Sequence, residues 1–171
     1  VNLFGHCNAR INKVIKEQID KLEHIIFANF SHEAGIELGE RLTKVAPEGL
    51  NKLIFTDNGS SSTEVAIKLS FQSHVQSGNP QKKTFVSLEG AYHGETIGAL
   101  GVGNMDRFTD VYKPLIREGK KVKGPDCFNC TYNKNRETCN AECFEYMEKY
   151  LLENHNEVSG VIIESMVQGV A

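Results

Sequence analysis

An α/β architecture, with a mostly parallel sheet flanked by helices, is the fold class this sequence predicts, and three observations predict it. Short apolar β-rich runs at 53–55, 83–88 and 160–164 alternate with helical patterns at 61–76, 95–100 and 141–154. Turn residues punctuate the alternation, as in Asp57-Asn58-Gly59 and Glu89-Gly90-Ala91-Tyr92-His93-Gly94. The 171 residues are 40% hydrophobic and 24% charged, an ordinary globular composition that supports one substantial core.

The elements follow in order. Ile11, Val14, Ile15, Ile19 and Leu22 recur at helical spacing, so residues 9–22 predict an amphipathic helix. Residues 27–30 are a loop, and Ser31 is the expected N-cap of a second helix, with Ala34, Leu38, Leu42 and Val45 inward. Pro47 and Gly49 stop it. The run Leu53-Ile54-Phe55 predicts a strand, and a helix with Val65, Ala66 and Leu69 on one face follows the turn. Ser61 and Glu64 have capping-box spacing, which places that helix's start at about Ser61. Residues 77–80 form a loop, 83–88 a second strand, and 95–100 a short helix. Residues 101–124 read as irregular and basic. A helix over 141–154 leads to a buried strand, Gly160-Val161-Ile162-Ile163-Glu164. Two parts are expected: a helical lead-in over 1–50, and an α/β part over 51–171 with a cysteine-rich insertion at about 124–143. The chain opens at Val1 without Met and stops at Ala171 with no terminal feature, so a piece of a longer chain is expected.

Several function classes are disfavoured. A net charge of -3 and a pI near 6.1 make no electrostatic case for nucleic acid or an anionic membrane. No apolar run approaches the roughly 18 residues of a membrane span. There is no internal repeat or low-complexity tract.

In an open parallel sheet, ligands gather at the carboxyl ends of strands. Three such ends carry unusual residues: Gly59-Ser60, Tyr92-His93, and Glu164 with Gln168. A glycine turn running into a serine-rich helix start is an anion cradle, because first-turn N–H groups lack partners and the helix dipole favours negative charge. With an aromatic ring, an imidazole and a carboxylate alongside, the set suits a flat, phosphorylated, heteroaromatic cofactor. Each feature also has a plain structural reading: a serine cap, a half-buried loop tyrosine, a turn histidine, a surface ion pair. Lys68 reads as solvated surface.

The motifs Asp57-Asn58-Gly59-Ser60 with Glu64-Val65-Ala66, Gly90-Ala91-Tyr92-His93-Gly94-Glu95-Thr96, and Val161-Ile162-Ile163-Glu164 with Gln168-Gly169 resemble class III pyridoxal-phosphate aminotransferases. Gly5-His6-Cys7-Asn8, Phe30-Ser31-His32 and Ile36-Glu37-Leu38 extend the likeness over nearly the whole chain, and it is strongest to the biotin-synthesis branch. The resemblance implies the large domain of a fold-type I transferase and a pyridoxal 5'-phosphate cofactor. It further implies a small-molecule amino donor and keto acceptor, and a cytoplasmic homodimer. It assigns cofactor binding to Gly59, Ser60, Tyr92, His93 and Glu164, with Tyr92 also bordering the substrate. No catalytic residue is assignable, since the family's Schiff-base lysine, pyridinium aspartate and carboxylate-binding arginine are expected beyond Ala171. Ser165 stands where the family usually has proline. Other class III substrates (ornithine, 4-aminobutyrate, another ω-amine) and a non-catalytic α/β module stay open as alternatives.

Cys127-x2-Cys130, then Cys139-x3-Cys143, is a compact four-thiol array. With no sign of a disulfide compartment, four close thiolates suit tetrahedral zinc or an iron–sulfur cluster. A reduced loop without metal is the other reading.

Overall fold

A parallel three-stranded sheet of order β2-β1-β3 organises the second of the two compact units into which the chain divides, Val1–Ile54 and Phe55–Ala171. The computed structural model describes residues 2–103 and 105–170.

In the first unit, α1 (Ala9–Lys21) is capped by Asn8, whose side chain accepts from the N–H groups of Arg10 and Ile11. Its apolar stripe is exposed, with Ile11 at 41% and Val14 at 58%. Helix α2 (Glu33–Val45) begins one residue later than expected, because the His32 ring, not Ser31, accepts the Gly35 N–H at 3.2 Å. The Phe27 ring packs over the buried Gly35 and against His32, with ring centroids 4.9 Å apart.

The expected strand at 53–55 is absent: residues 51–56 adopt no regular structure. A β-rich run becomes a strand only where a neighbouring strand pairs with it, and the three-stranded sheet recruits other segments. Helix α3 (Gly59–Gln76) starts earlier than the capping-box spacing implies, since Asn58 is the cap. Strand β1 (Thr84–Leu88) is central, and Val86 and Ser87 are fully buried. Short helix α4 (Ile97–Val102) follows. The segment expected to be irregular holds α5 (Asp106–Thr109), a 3-10 turn (Asp110–Leu115) and β2 (Lys120–Val122). A 3-10 turn (Glu142–Phe144) opens into α6 (Glu145–Asn154), and β3 (Val158–Ile162) closes the sheet.

Both β2 and β3 run parallel to β1, with Ser87 in register with Lys121 on one side and Ile162 on the other. Alternation along β1 divides its neighbours. Val86 and Leu88 join Ala91, Val122 and Val158 in the core, covered by Met147, Tyr150 and Leu151 of α6. Phe85 points the other way, toward Gly160 and Ser70 of α3. Helix α3 is fastened along β3 by Ser70, whose hydroxyl lies 3.1 Å from the Ser159 carbonyl, and by His74 Nε2, 2.8 Å from the same oxygen. The sheet is therefore covered on both faces, and its strand ends bring the site together.

Candidate functional site

Three segments meet beyond the ends of β1 and β3: the start of α3, the turn after β1, and residues 164–169. The first is an open helix N-terminus. Asn58 Oδ1 accepts the Ser61 N–H at 2.9 Å, and the Asn58 carbonyl accepts the Ser62 N–H at 3.1 Å. The N–H groups of Gly59 and Ser60 have no intrahelical acceptor, as for any first turn. A Cβ on Gly59 would meet nothing within 4 Å, so the space in front of the turn is open. The Ser60 hydroxyl accepts the Glu95 N–H at 3.1 Å, which leaves its own proton free to donate outward. Asp57, at the lip, is held below the usual carboxylate range, chiefly by a hydrogen bond from the Ser61 side chain. Asn58 Nδ2 also donates to it at 2.9 Å.

The turn after β1 is tied to both other segments. The Thr63 hydroxyl donates to the His93 carbonyl at 2.8 Å. Glu64 Oε1 accepts from the N–H groups of Gly98 at 2.8 Å and Ala99 at 3.3 Å. The capping box expected between Ser61 and Glu64 is therefore not formed: the glutamate reaches across to α4, because Asn58 already serves the N–H it would share. From the far side, Glu164 Oε2 accepts the Tyr92 N–H at 3.2 Å and Oε1 accepts the Gly169 N–H at 2.8 Å. Gln168 Nε2 donates to the Glu89 carbonyl at 2.9 Å.

The Tyr92 ring is half-buried, edge-on to Phe108 at 5.7 Å, with its phenol donating to Glu95 Oε1 at 2.9 Å. That hydrogen bond raises the phenol's pKa. His93 Nε2 is buried without a partner. Burial pushes the imidazole below its ordinary value, Glu164 opposes this, and Lys121 adds to it, so the environment favours the neutral ring. Lys121 donates to the Gly101 carbonyl at 2.7 Å, and burial brings its ammonium down to about 8 against the pull of Glu118.

The structure brings the expected residues Gly59, Ser60, Tyr92, His93 and Glu164 together in one cluster. Thr63, Glu64, Glu95 and Phe108 join them without having been foreseen. The polar spacing of Ser60, Thr63 and Glu64 at i, i+3 and i+4 was the available signal for two of these. A groove of 840 Å³ runs along α6 past Phe144, Met147 and Leu151 and shares no residue with this cluster.

The structure lends the cysteine array no support as a metal site. Cys127, Cys130, Cys139 and Cys143 are free thiols, Cys127 and Cys139 exposed. Among the described residues no group of three or more His, Cys, Asp or Glu side chains is placed to hold a metal ion, so the zinc or iron–sulfur reading finds no support. The loop is held instead by its own turns, with Asp126 Oδ1 accepting from Phe128 and Asn129 and Asn135 Oδ1 from Glu137 and Thr138. Burial raises the Cys143 pKa, its own backbone hydrogen bond lowers it, and the other three cysteines add to the rise.

Comparison with known proteins places this geometry. The aminotransferase class III family model matches residues 1–171. The chain is 37% identical to an adenosylmethionine-8-amino-7-oxononanoate aminotransferase of Geobacter sulfurreducens, over 98% of this chain and 37% of that protein. It is 37% identical to the protein of the same name in Staphylococcus aureus, over 99% and 38%. The crystal structure of that aminotransferase from Methanocaldococcus jannaschii superposes with a TM-score of 0.86 at 31% identity, over 98% of this chain and 35% of that one. An amine transaminase from an uncultivated Pseudomonas species, in its pyridoxal-phosphate-bound form, superposes at 0.83 with 26% identity, over 93% and 37%. The chain thus spans a little over a third of the Geobacter relative's length. With the family model spanning every residue and relatives of one name aligned along nearly all of them, this chain belongs to the class III aminotransferases.

Proposed function

We propose that this chain forms part of a pyridoxal-phosphate-dependent aminotransferase that converts 8-amino-7-oxononanoate to 7,8-diaminononanoate, with S-adenosylmethionine as amino donor. The shared name of the relatives supports the reaction. The observation that carries the cofactor is the open first turn of α3, docked against the Tyr92-His93 turn.

The residues present fit that cofactor. Two unpaired N–H groups, a positive helix end and a serine hydroxyl with a free proton suit a phosphate. A loop aromatic suits a pyridine ring, and the unpartnered His93 Nε2 marks a polar position awaiting a neighbour. Gly59 and Ser60 would hold the phosphate, Tyr92 would stack on the ring and border the substrate, and His93 and Glu164 would line the site. Pyridoxal phosphate, when bound, supplies the electron sink for charge left at the amino-bearing carbon. The chain's own residues orient and shield. Glu164 fixes the backbone of Tyr92, and the Glu95 carboxylate fixes its phenol, so the ring plane is set before ligand arrives. A neutral His93 keeps a second positive charge out of a site that already has the α3 dipole. The anchoring lysine is assigned to none of these residues.

The parent protein is proposed to be a homodimer in the cytoplasm, where the free thiols stay reduced. A second reading, a transaminase for ornithine, 4-aminobutyrate or another ω-amine, is favoured by the likeness to the amine transaminase. Titrating full-length protein with pyridoxal phosphate, then assaying each amino donor, tests both. Saturable visible absorbance and turnover with S-adenosylmethionine are expected. Turnover with ornithine or 4-aminobutyrate alone moves the assignment to the second reading, and no cofactor binding sinks both.

A further inference from the structure

We propose that Glu64 is a positioning residue: with the Ser60 and Thr63 hydroxyls it latches residues 92–99 onto α3, so that the anion cradle and the Tyr92 turn order as one body. The inference rests on the functional reading above for its consequence, and on geometry alone for the latch.

Ser60, Thr63 and Glu64 lie on one face of α3 by their spacing. Each takes a different backbone group of the same turn: Ser60 the Glu95 N–H, Thr63 the His93 carbonyl, Glu64 the N–H groups of Gly98 and Ala99. Those last two are the orphan donors of α4, whose own N-cap, Thr96, makes no side-chain cap bond. Glu64 thus caps α4 from another helix, with its charge at the positive end of the α4 dipole. The cap is consequential because α4 is only six residues long, and Ala99, Leu100, Gly101 and Val102 are buried. A helix that short does not hold itself. If its first N–H groups lose their acceptor, the preceding residues lose their anchor, and Tyr92 and His93 are among them. Both bonds end on one oxygen, Oε1, so a single carbonyl oxygen suffices to make them. Gly98 belongs to the same device, since a Cβ there would lie 2.7 Å from Glu64 Cδ and force the carboxylate out.

Three full-length variants test this: Glu64→Ala, Glu64→Gln and Gly98→Ala. Two readouts are taken: amide hydrogen exchange of 92–99 in the cofactor-free protein, and the dissociation constant of pyridoxal phosphate by equilibrium dialysis. Glu64→Ala should speed exchange selectively at 92–99 and weaken cofactor binding roughly tenfold, the middle of the range for coupled sites. Glu64→Gln keeps the acceptor oxygen and should stay within about threefold. Gly98→Ala favours helix by intrinsic propensity, yet should behave like Glu64→Ala because it displaces the carboxylate. It decides the matter if Glu64→Ala does not fold. Unchanged exchange at 92–99 overturns the latch. Faster exchange with an unchanged dissociation constant overturns the coupling. A wild type that binds no pyridoxal phosphate overturns the functional reading and the coupling together. A wild type that binds, with variants that bind equally well, overturns the coupling alone.

Discussion

Gly94 lies against Ser60 so closely that a Cβ on the glycine would sit 2.9 Å from the serine Cα. Two chain segments 34 positions apart thus touch backbone to side chain at the mouth of the cradle. Gly94 also has φ +121°, a conformation L side chains rarely adopt. Gly94→Ala therefore meets two penalties, backbone strain and a collision with rigid backbone. It should destabilise the protein by at least about 2 kcal/mol. It should also separate Ser60 from the Glu95 N–H, so the affinity for pyridoxal phosphate should fall in the folded fraction. Thermal unfolding and cofactor titration check the two effects, and a variant that melts and binds as wild type contradicts the contact.

Tyr92→Ala should cut activity far more than stability. The side chain is only half-buried and its phenol is served by Glu95, so the unfolding cost should stay below the roughly 3–5 kcal/mol of a truncated core aromatic. The ring would hold the cofactor plane in register, where misplacement costs about a hundredfold per ångström. Unfolding without cofactor and turnover at saturating cofactor, both in full-length protein, separate the roles. Early unfolding with normal turnover would make Tyr92 a packing residue.

Strand β1 and helices α1, α2 and α6 were legible in place. The last strand, expected buried over 160–164, runs Val158–Ile162 with Val161 43% exposed, because its register against β1 is set by pairing that the sequence does not display. Strand β2 was not legible: Lys120-Lys121-Val122 is two lysines and a valine, a strand only because β1 pairs with it. The reverse holds for 53–55, apolar and β-rich but outside the sheet. Within the site, Gly59, Ser60, Tyr92 and Glu164 announced themselves through turn chemistry and strand-end position. Glu64 did not, because its partners Gly98 and Ala99 lie over 30 positions away, and a local capping motif offered itself first. The spacing of the cysteine array suggested a metal, yet spacing does not fix geometry, and among the described residues no side-chain group is placed to hold one.

Ser87→Ala should be neutral or stabilising. Ser87 sits in the centre of the sheet, 1% exposed, with a buried hydroxyl that has no hydrogen-bond partner. An unpaired buried hydroxyl costs about 1–3 kcal/mol, and alanine removes it while leaving only a small void. Chemical denaturation should show the midpoint unchanged or raised. A loss of stability above about 1 kcal/mol would mean that the hydroxyl is satisfied in solution, by an internal water or by the nearby polar groups.

Lys121 gives stability a distinct alkaline dependence. Its ammonium, ordinarily titrating near 10.5, is brought down to about 8 by burial, with Glu118 opposing. Between those values the unfolded chain still holds a proton that the folded chain has released. More protons bound in the unfolded state means that stability rises with pH across this window. Below about 8 the lysine is charged in both states, and its burial penalty is carried in full. Lys121→Met removes the titrating group but also takes one of the two donors from the Gly101 carbonyl, leaving the Gly119 N–H at 2.9 Å, so the absolute stability of the variant is a poor guide. The slope is a good one. The difference in unfolding free energy between wild type and Lys121→Met should move in favour of wild type from about pH 8 to 10, and be flat from 6 to 7.5, apart from the neighbouring His93. Denaturant titrations at half-unit steps measure it. Parallel curves across the whole range would show that the Lys121 ammonium keeps its ordinary pKa, and that the strand β2 lysine reaches water more freely than its contact with Gly101 implies.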